Sequence, residues 1–105
     1  MMIRWEDENG KEIDELSRQD FDLIFEMMSL LDKETALRET KCLQFIDAWG
    51  DTTFNQYQIS VLIDELKSTL PFCQDKEKRK EFERVIEFIK KADGETHTYI
   101  KFWGD

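Results

Sequence analysis

The spacing of apolar and polar residues changes several times along the chain, and each change marks an element. Residues 2–16, MIRWEDENGKEIDEL, alternate about Asn9-Gly10, a pair that favours a β-hairpin turn. Two registers compete. A two-residue loop pairs Trp5 with Asp14 and Asp7 with Glu12. A three-residue loop with Gly10 in a left-handed bulge pairs Trp5 with Ile13 and Asp7 with Lys11. The second sets an aromatic against a β-branched side chain and an acid against a base, so it is the expected one. From Ser17 the period becomes helical. Ser17-Arg18-Gln19-Asp20 has the form of a capping signal, and Phe21, Ile24, Phe25, Met28 and Leu31 then share a face widened by Leu23, Met27 and Leu30. This helix should fade within residues 32–40, where Leu37 is the only sizeable apolar side chain.

Residues 41–47, KCLQFID, alternate again, with Leu43 and Phe45 on one side and Cys42, Gln44 and Ile46 on the other, which predicts a strand. Trp49-Gly50-Asp51 then turns the chain. Thr53-Phe54-Asn55-Gln56 has capping-box spacing, with Asn55 as a competing cap, and Ile59, Leu62, Ile63, Leu66 and Leu70 follow as an amphipathic stripe that Pro71 ends. Asp75 caps a third helix running to about Ala92, with Phe82, Val85, Ile86 and Ile89 as its buried stripe and Asp93-Gly94 as its stop. Residues 96–103 alternate cleanly, Tyr99, Lys101 and Trp103 against Thr98, Ile100 and Phe102, and form a last strand. The expected order is ββ-α-β-α-α-β. That is a single α+β domain over residues 1–105, with a three- to four-stranded, mostly antiparallel sheet and about three helices.

Composition fits one hydrophobic core. The chain has 105 residues, 40% of them hydrophobic, with eight Phe and three Trp to fill an interior. Charge changes the picture more. The formal net charge is −9, and residues 1–35 hold −7 of it, with eleven acids against four bases, while residues 75–105 are neutral. Such a chain repels nucleic acid and anionic lipid and attracts basic proteins. The basic run Lys76 to Lys80 does not alter this, because Glu77, Glu81 and Glu83 interleave it and make it a solvated helix face. No secretory leader pattern and no apolar run of membrane-spanning length stands in the sequence, and Cys42 and Cys73 are expected to stay reduced, so the expected compartment is the cytoplasm.

Catalytic chemistry finds little support. His97 is the only histidine, and it has neither a nucleophile at a known spacing nor a Gly-x-Ser-x-Gly elbow. Cys42, Cys73 and His97 lack metal-site spacing, the acids near residues 7–9 and 93–95 do not follow a calcium-loop pattern, and four scattered glycines make no phosphate cradle. Asp64 and Glu65 are neighbours on a helix and read as surface solubilisers. The expectation is a non-enzymatic protein with no cofactor and no metal. Two stretches suit partner binding. Asp14, Glu15, Asp20, Asp22 and Glu26 crowd the end of the hairpin and the first helix, and they either solubilise that face or dock a cationic partner. Asp47, Trp49, Asp51 and Asn55 form a polar stretch with an aromatic anchor, leading from a strand into a helix N-terminus, although Asn55 and Trp49 also have simple structural roles as cap and core cover.

Three stretches together, IRWEDENGKEIDEL, CLQFIDAWGDTTFNQYQISVLIDEL (residues 42–66) and HTYIKFWGD (residues 97–105), resemble small acidic bacterial proteins of polymorphic-toxin loci, including immunity proteins of contact-dependent growth inhibition systems. The resemblance implies a cognate inhibitor that binds a toxin domain, often a basic nuclease, and occludes its active site. The partner would be a protein, not nucleic acid or membrane, and the complex one-to-one. No site residue is carried over from the family. A second possibility is an interaction or regulatory module unrelated to toxins, with an apolar contact through Trp49 or Trp103.

Overall fold

In the computed structural model, residues 2–16, 29, 30, 33, 39–47 and 50–103 are described. Their elements are β1 (Met2–Asp7), β2 (Glu12–Leu16), β3 (Asp51–Asn55), α1 (Gln56–Thr69), α2 (Lys76–Lys90) and β4 (Thr98–Trp103), with short 3-10 turns at Leu43–Phe45 and Leu70–Phe72. The four strands form one antiparallel sheet in the order β2-β1-β4-β3. The α+β class is therefore as expected, with two α-helices among the described residues instead of about three. The helix expected from Ser17 lies mostly outside the described residues; Ser29, Leu30 and Lys33 are helical.

Pleating divides the sheet into two faces. Ile3 opposite Phe102, Trp5 opposite Ile100, and Phe54 opposite Ile100 from the other side set one face against the helices. Ile3, Phe54, Ile100 and Phe102 are buried there with Ile59, Leu62, Ile63 and Leu66 of α1 and Phe82, Val85, Ile86 and Ile89 of α2. The rings of Phe54 and Phe102 meet edge-on at 5.9 Å, and the Trp5 indole N–H donates to the Thr98 hydroxyl. The helices begin where side chains can cap them. Asp75 accepts from the N–H groups of Glu77 and Lys78, as expected from sequence. Pro71 ends α1 in a 3-10 turn, and Gly94 takes φ +85 after α2, a left-handed conformation that costs a glycine little.

Three sequence expectations give way. The helix cap is Asn55, not Thr53: the Asn55 side chain accepts from Tyr57 and Gln58, and the Gln58 side chain returns the bond to the Asn55 N–H. Thr53 and Phe54 are instead drawn into β3 by pairing with Lys101 and Ile100. The hairpin combines both registers. At the turn the Asp7 N–H bonds Lys11 O across a loop with Gly10 at φ +77, which is the preferred three-residue form. A bulge between the Trp5 and Glu6 pairs then leaves Ile13 unpaired, and Trp5 faces Asp14.

The third correction concerns residues 41–47, which form no strand. Their backbone is held by one side chain. The Glu65 carboxylate on α1 accepts from the N–H groups of Lys41, Cys42 and Leu43 at 2.5, 2.8 and 3.0 Å. Three successive donors on one anion satisfy the start of the 3-10 turn and fasten it to α1, with Leu43 and Ile46 buried beneath. Glu65 is thus an internal anchor, not a solubiliser. Replacing Glu65 by Ala should destabilise the fold by about 2–3 kcal/mol, and by Gln about half as much, because the amide keeps one acceptor oxygen. Urea unfolding of both variants checks this; equal and negligible losses would refute the anchoring role.

Candidate functional site

The residues singled out in the sequence separate into two groups on opposite edges of the sheet. Asp14 and Glu15 stand on β2, and Asp51 and Asn55 on β3, with β1 and β4 between them. Three strand spacings put the edges roughly 14 Å apart. Asp20, Asp22, Glu26 and Trp49 lie outside the described residues.

Each described member of the set has a local task. Asp14 is opposite Trp5 and so points to the helix side, where Lys91 beyond α2 pairs with it at 3.3 Å. Its carboxyl is held below the usual range, first by the N–H of Glu15 and then by Lys91. Glu15 is opposite Arg4 and points to the other face. Its carboxyl is pushed up, first by a hydrogen bond with Glu12 and then by burial and the charge of Glu12. Asp51 pairs with Lys101 of the adjacent strand at 3.7 Å. Asn55 is engaged in the cap of α1. The Asp47 N–H donates to the Thr52 hydroxyl, and the Asp47 carboxylate lies so close to residue 50 that a Cβ there would stand 2.7 Å from it, which is why Gly50 suits the turn.

The strand pairing exposes a site that single-segment reading misses. Met2, Arg4 and Glu6 of β1 and Tyr99, Lys101 and Trp103 of β4 share the sheet face turned away from the helices, flanked by Glu12 and Glu15 on one side and Asp51 and Thr53 on the other. No described helix covers this outer face. Arg4 is its centre. Glu6 and Glu12 each approach the Arg4 Nε at 3.4 Å, neither in hydrogen-bonding geometry, and the guanidinium lies 5.2 Å from the centre of the Trp103 ring. Lys101 sits over the same ring at 4.8 Å. Among the described residues Glu6, Glu12 and Glu15 lie beside this guanidinium, and Glu12 and Glu15 contact each other. The signal in the sequence was the alternation of residues 2–7 and 98–103. What it lacked was the knowledge that these two runs lie side by side.

Other groups offer less chemistry. His97 has φ +51, rare for a residue with a Cβ; its N–H bonds Gln56 Oε1 at 2.5 Å, and its ring lies 3.6 Å from Glu8 on the surface. Cys42 and Cys73 are buried and unbridged, and burial, followed by the Glu65 charge, pushes the Cys42 thiol up. No group of three metal-ligating side chains occurs among the described residues. A groove of about 520 Å³ between β2 and α2 is lined by Leu16 and Phe88 with Glu83, Arg84 and Lys91, charges of both signs and no nucleophile–base pair. No helix among the described residues is long and apolar enough to cross a membrane.

The opposite shifts of two adjacent acids give opposite pH signatures. Asp14 has a lowered folded value, so its contribution to stability is present at neutral pH and is lost as pH falls through the acid range. Glu15 has a raised one, so its ionisation costs stability at neutral pH, and protonation restores it as pH falls through that raised value. Glu15→Gln should therefore raise the melting temperature at pH 7 and lose that advantage in acid, whereas Asp14→Asn should lower it at pH 7 and converge on wild type in acid. Thermal melts across pH check both signs. Comparison with protein-family models, with curated proteins and with solved structures finds no match for this chain.

Proposed function

We propose that this protein is an immunity protein that binds and neutralises a cognate toxin domain, a basic nuclease, by lying over its active site. One observation carries the reading: among the described residues the exposed Glu12 and Glu15 are crowded together on the outer sheet face beside Arg4, with Glu15 pushed up by Glu12. A fold with no use for that face gains nothing from crowding like charges on its edge strand. A cationic partner relieves the crowding, and carboxylates suit a surface shaped for phosphates. Trp103 and Arg4, the residue types that anchor interfaces, stand beside them. The expected complex has one toxin domain per chain, needs no cofactor and no catalysis, and forms in the cytoplasm of the cell it protects. Asp51, on the same face beyond Lys101, falls within the footprint of one such partner.

A second reading has its own observation. Phe45 and Tyr57 are 65% and 79% exposed, large side chains that an interaction module unrelated to toxins would use as anchors. Neutralising the acids of the sheet face would leave that binding intact, while Phe45→Ala and Tyr57→Ala would abolish it.

The deciding experiment is co-expression with the C-terminal toxin domain encoded by a neighbouring gene. Growth should be rescued, and the purified pair should associate at a rate that falls as salt is added. Glu12→Gln with Glu15→Gln should slow association roughly three- to tenfold at low salt with little change in dissociation. Failure of every neighbour-encoded toxin domain to bind would remove the proposal.

A further inference from the structure

Asn9-Gly10, the pair that turns the β1–β2 hairpin, has a chemical property as well as a conformational one. With no Cβ on Gly10, its backbone nitrogen is unshielded from the side-chain amide of Asn9. Both residues are exposed at the hairpin tip, and a Cβ built on Gly10 would meet nothing within 4 Å, so the pair stands in open solvent. The chain's other asparagine is an internal contrast. Asn55 precedes Gln56, and its side-chain oxygen is held by the N–H groups of Tyr57 and Gln58 at 3.0 and 3.1 Å.

We propose that Asn9 is a site of spontaneous deamidation whose rate is set by Asp7. The Gly10 nitrogen, its proton taken by solvent hydroxide, attacks Asn9 Cγ. The Cγ–Nδ2 bond breaks, ammonia leaves with a proton from water, and a five-membered succinimide closes. Water then opens the ring. Cleavage of the new N–Cγ bond gives aspartate at this position, and cleavage on the backbone side gives isoaspartate, with the main chain running through Cβ and Cγ. Overall, an amide and a water become a carboxylate and an ammonium, with no redox change.

The folded turn opposes the first step. The Gly10 N–H is bonded to Asp7 O at 3.1 Å, and Asp7 Oδ1 accepts from the N–H groups of Asn9 and Lys11, each at 2.9 Å. The nucleophile is engaged until the turn opens, and the Asp7 carboxylate acts as the latch. Opening breaks only local bonds at an exposed tip, so conversion proceeds in the folded chain, more slowly than in an unfolded one. It takes the net charge from −9 to −10. The isoaspartate form also lengthens the loop that sets the register of β2, on which Glu12 and Glu15 stand. This chemistry is independent of the immunity reading.

Incubation of the intact chain at mildly alkaline pH, followed by digestion and mass spectrometry, reads the conversion at each asparagine. The peptide holding Asn9 should gain the mass of an amide exchanged for a carboxyl group and separate into aspartate and isoaspartate forms, while the peptide holding Asn55 stays unchanged. Asn9→Gln should abolish the gain over the same period. Asp7→Ala, which removes the side-chain latch, should speed conversion about fivefold, and Asp7→Asn, which keeps an acceptor oxygen, should stay within about twofold of wild type. The urea-unfolded wild-type chain should convert fastest. An Asn9 that stays intact in the folded chain after the unfolded one has converted fully, an Asn55 that converts as fast, or an Asp7→Ala rate equal to wild type would each overturn the proposal.

Discussion

The pairing of β1 with β4 is the constraint on which the rest of this structure depends. The two strands bring together residues as far apart as Trp5 and Thr98, 93 positions along the chain, and they occupy the centre of the sheet. Closing a loop of that length costs about 4 kcal/mol of chain entropy before any contact repays it. The helix-side face supplies the return. Ile3, Ile100 and Phe102 lie on facing positions and are almost fully buried, each worth about 2 kcal/mol on transfer from water. β3 and β2 have no central partner without this pair, and α1 has no sheet to cover. Contacts this non-local make for slow, cooperative assembly, in which the core appears only once both strands are in place.

The same pairing creates the outer face. Alternation that buries Ile3 and Ile100 must turn Arg4, Glu6, Tyr99 and Lys101 the other way. Their charges are then fixed in register, so Arg4 and Lys101 stand side by side and draw in Glu6, Glu12 and Asp51 from neighbouring positions. Trp103 lies beside both cations. Arg4 and Glu6 are largely shielded at the centre of this array, while Glu12 and Asp51 reach solvent at its rim, where ion pairs add little to stability singly.

How much of this was legible in the sequence depended on where each decision is made. Local decisions were readable. Asp75 caps α2, Gly94 stops it, Pro71 ends α1, and the alternation of residues 98–103 marks β4, because each signal acts on residues within one turn of itself. Distant decisions were not. Residues 41–47 alternate like a strand, yet Leu43 and Ile46 are buried while Phe45 is open, and the choice is made by Glu65 on α1. Thr53 and Asn55 both had capping spacing toward Gln56 and Gln58. Pairing with β4 kept Thr53 in the strand and left the cap to Asn55. The acidic group around Arg4 was hidden for the same reason. Its members come from both hairpin strands, and the aromatic beside it comes from β4.

The edges carry the last part of the argument. A sheet whose centre is fixed by two distant strands is finished by whatever stands outside them, and its outer strands decide what the molecule meets. On β2, Glu12, Asp14 and Glu15 with the Ile13 bulge repel a further strand and present negative charge. On β3 a short run of threonine and asparagine, with its one acid balanced by Lys101, repels nothing. Such asymmetry is not needed for stability, since charges on both edges would guard the sheet equally well. It divides the sheet into one edge guarded by like charges and a bulge, and another whose regularity is set by its pairing with β4 and closed by the capping of α1 at Asn55.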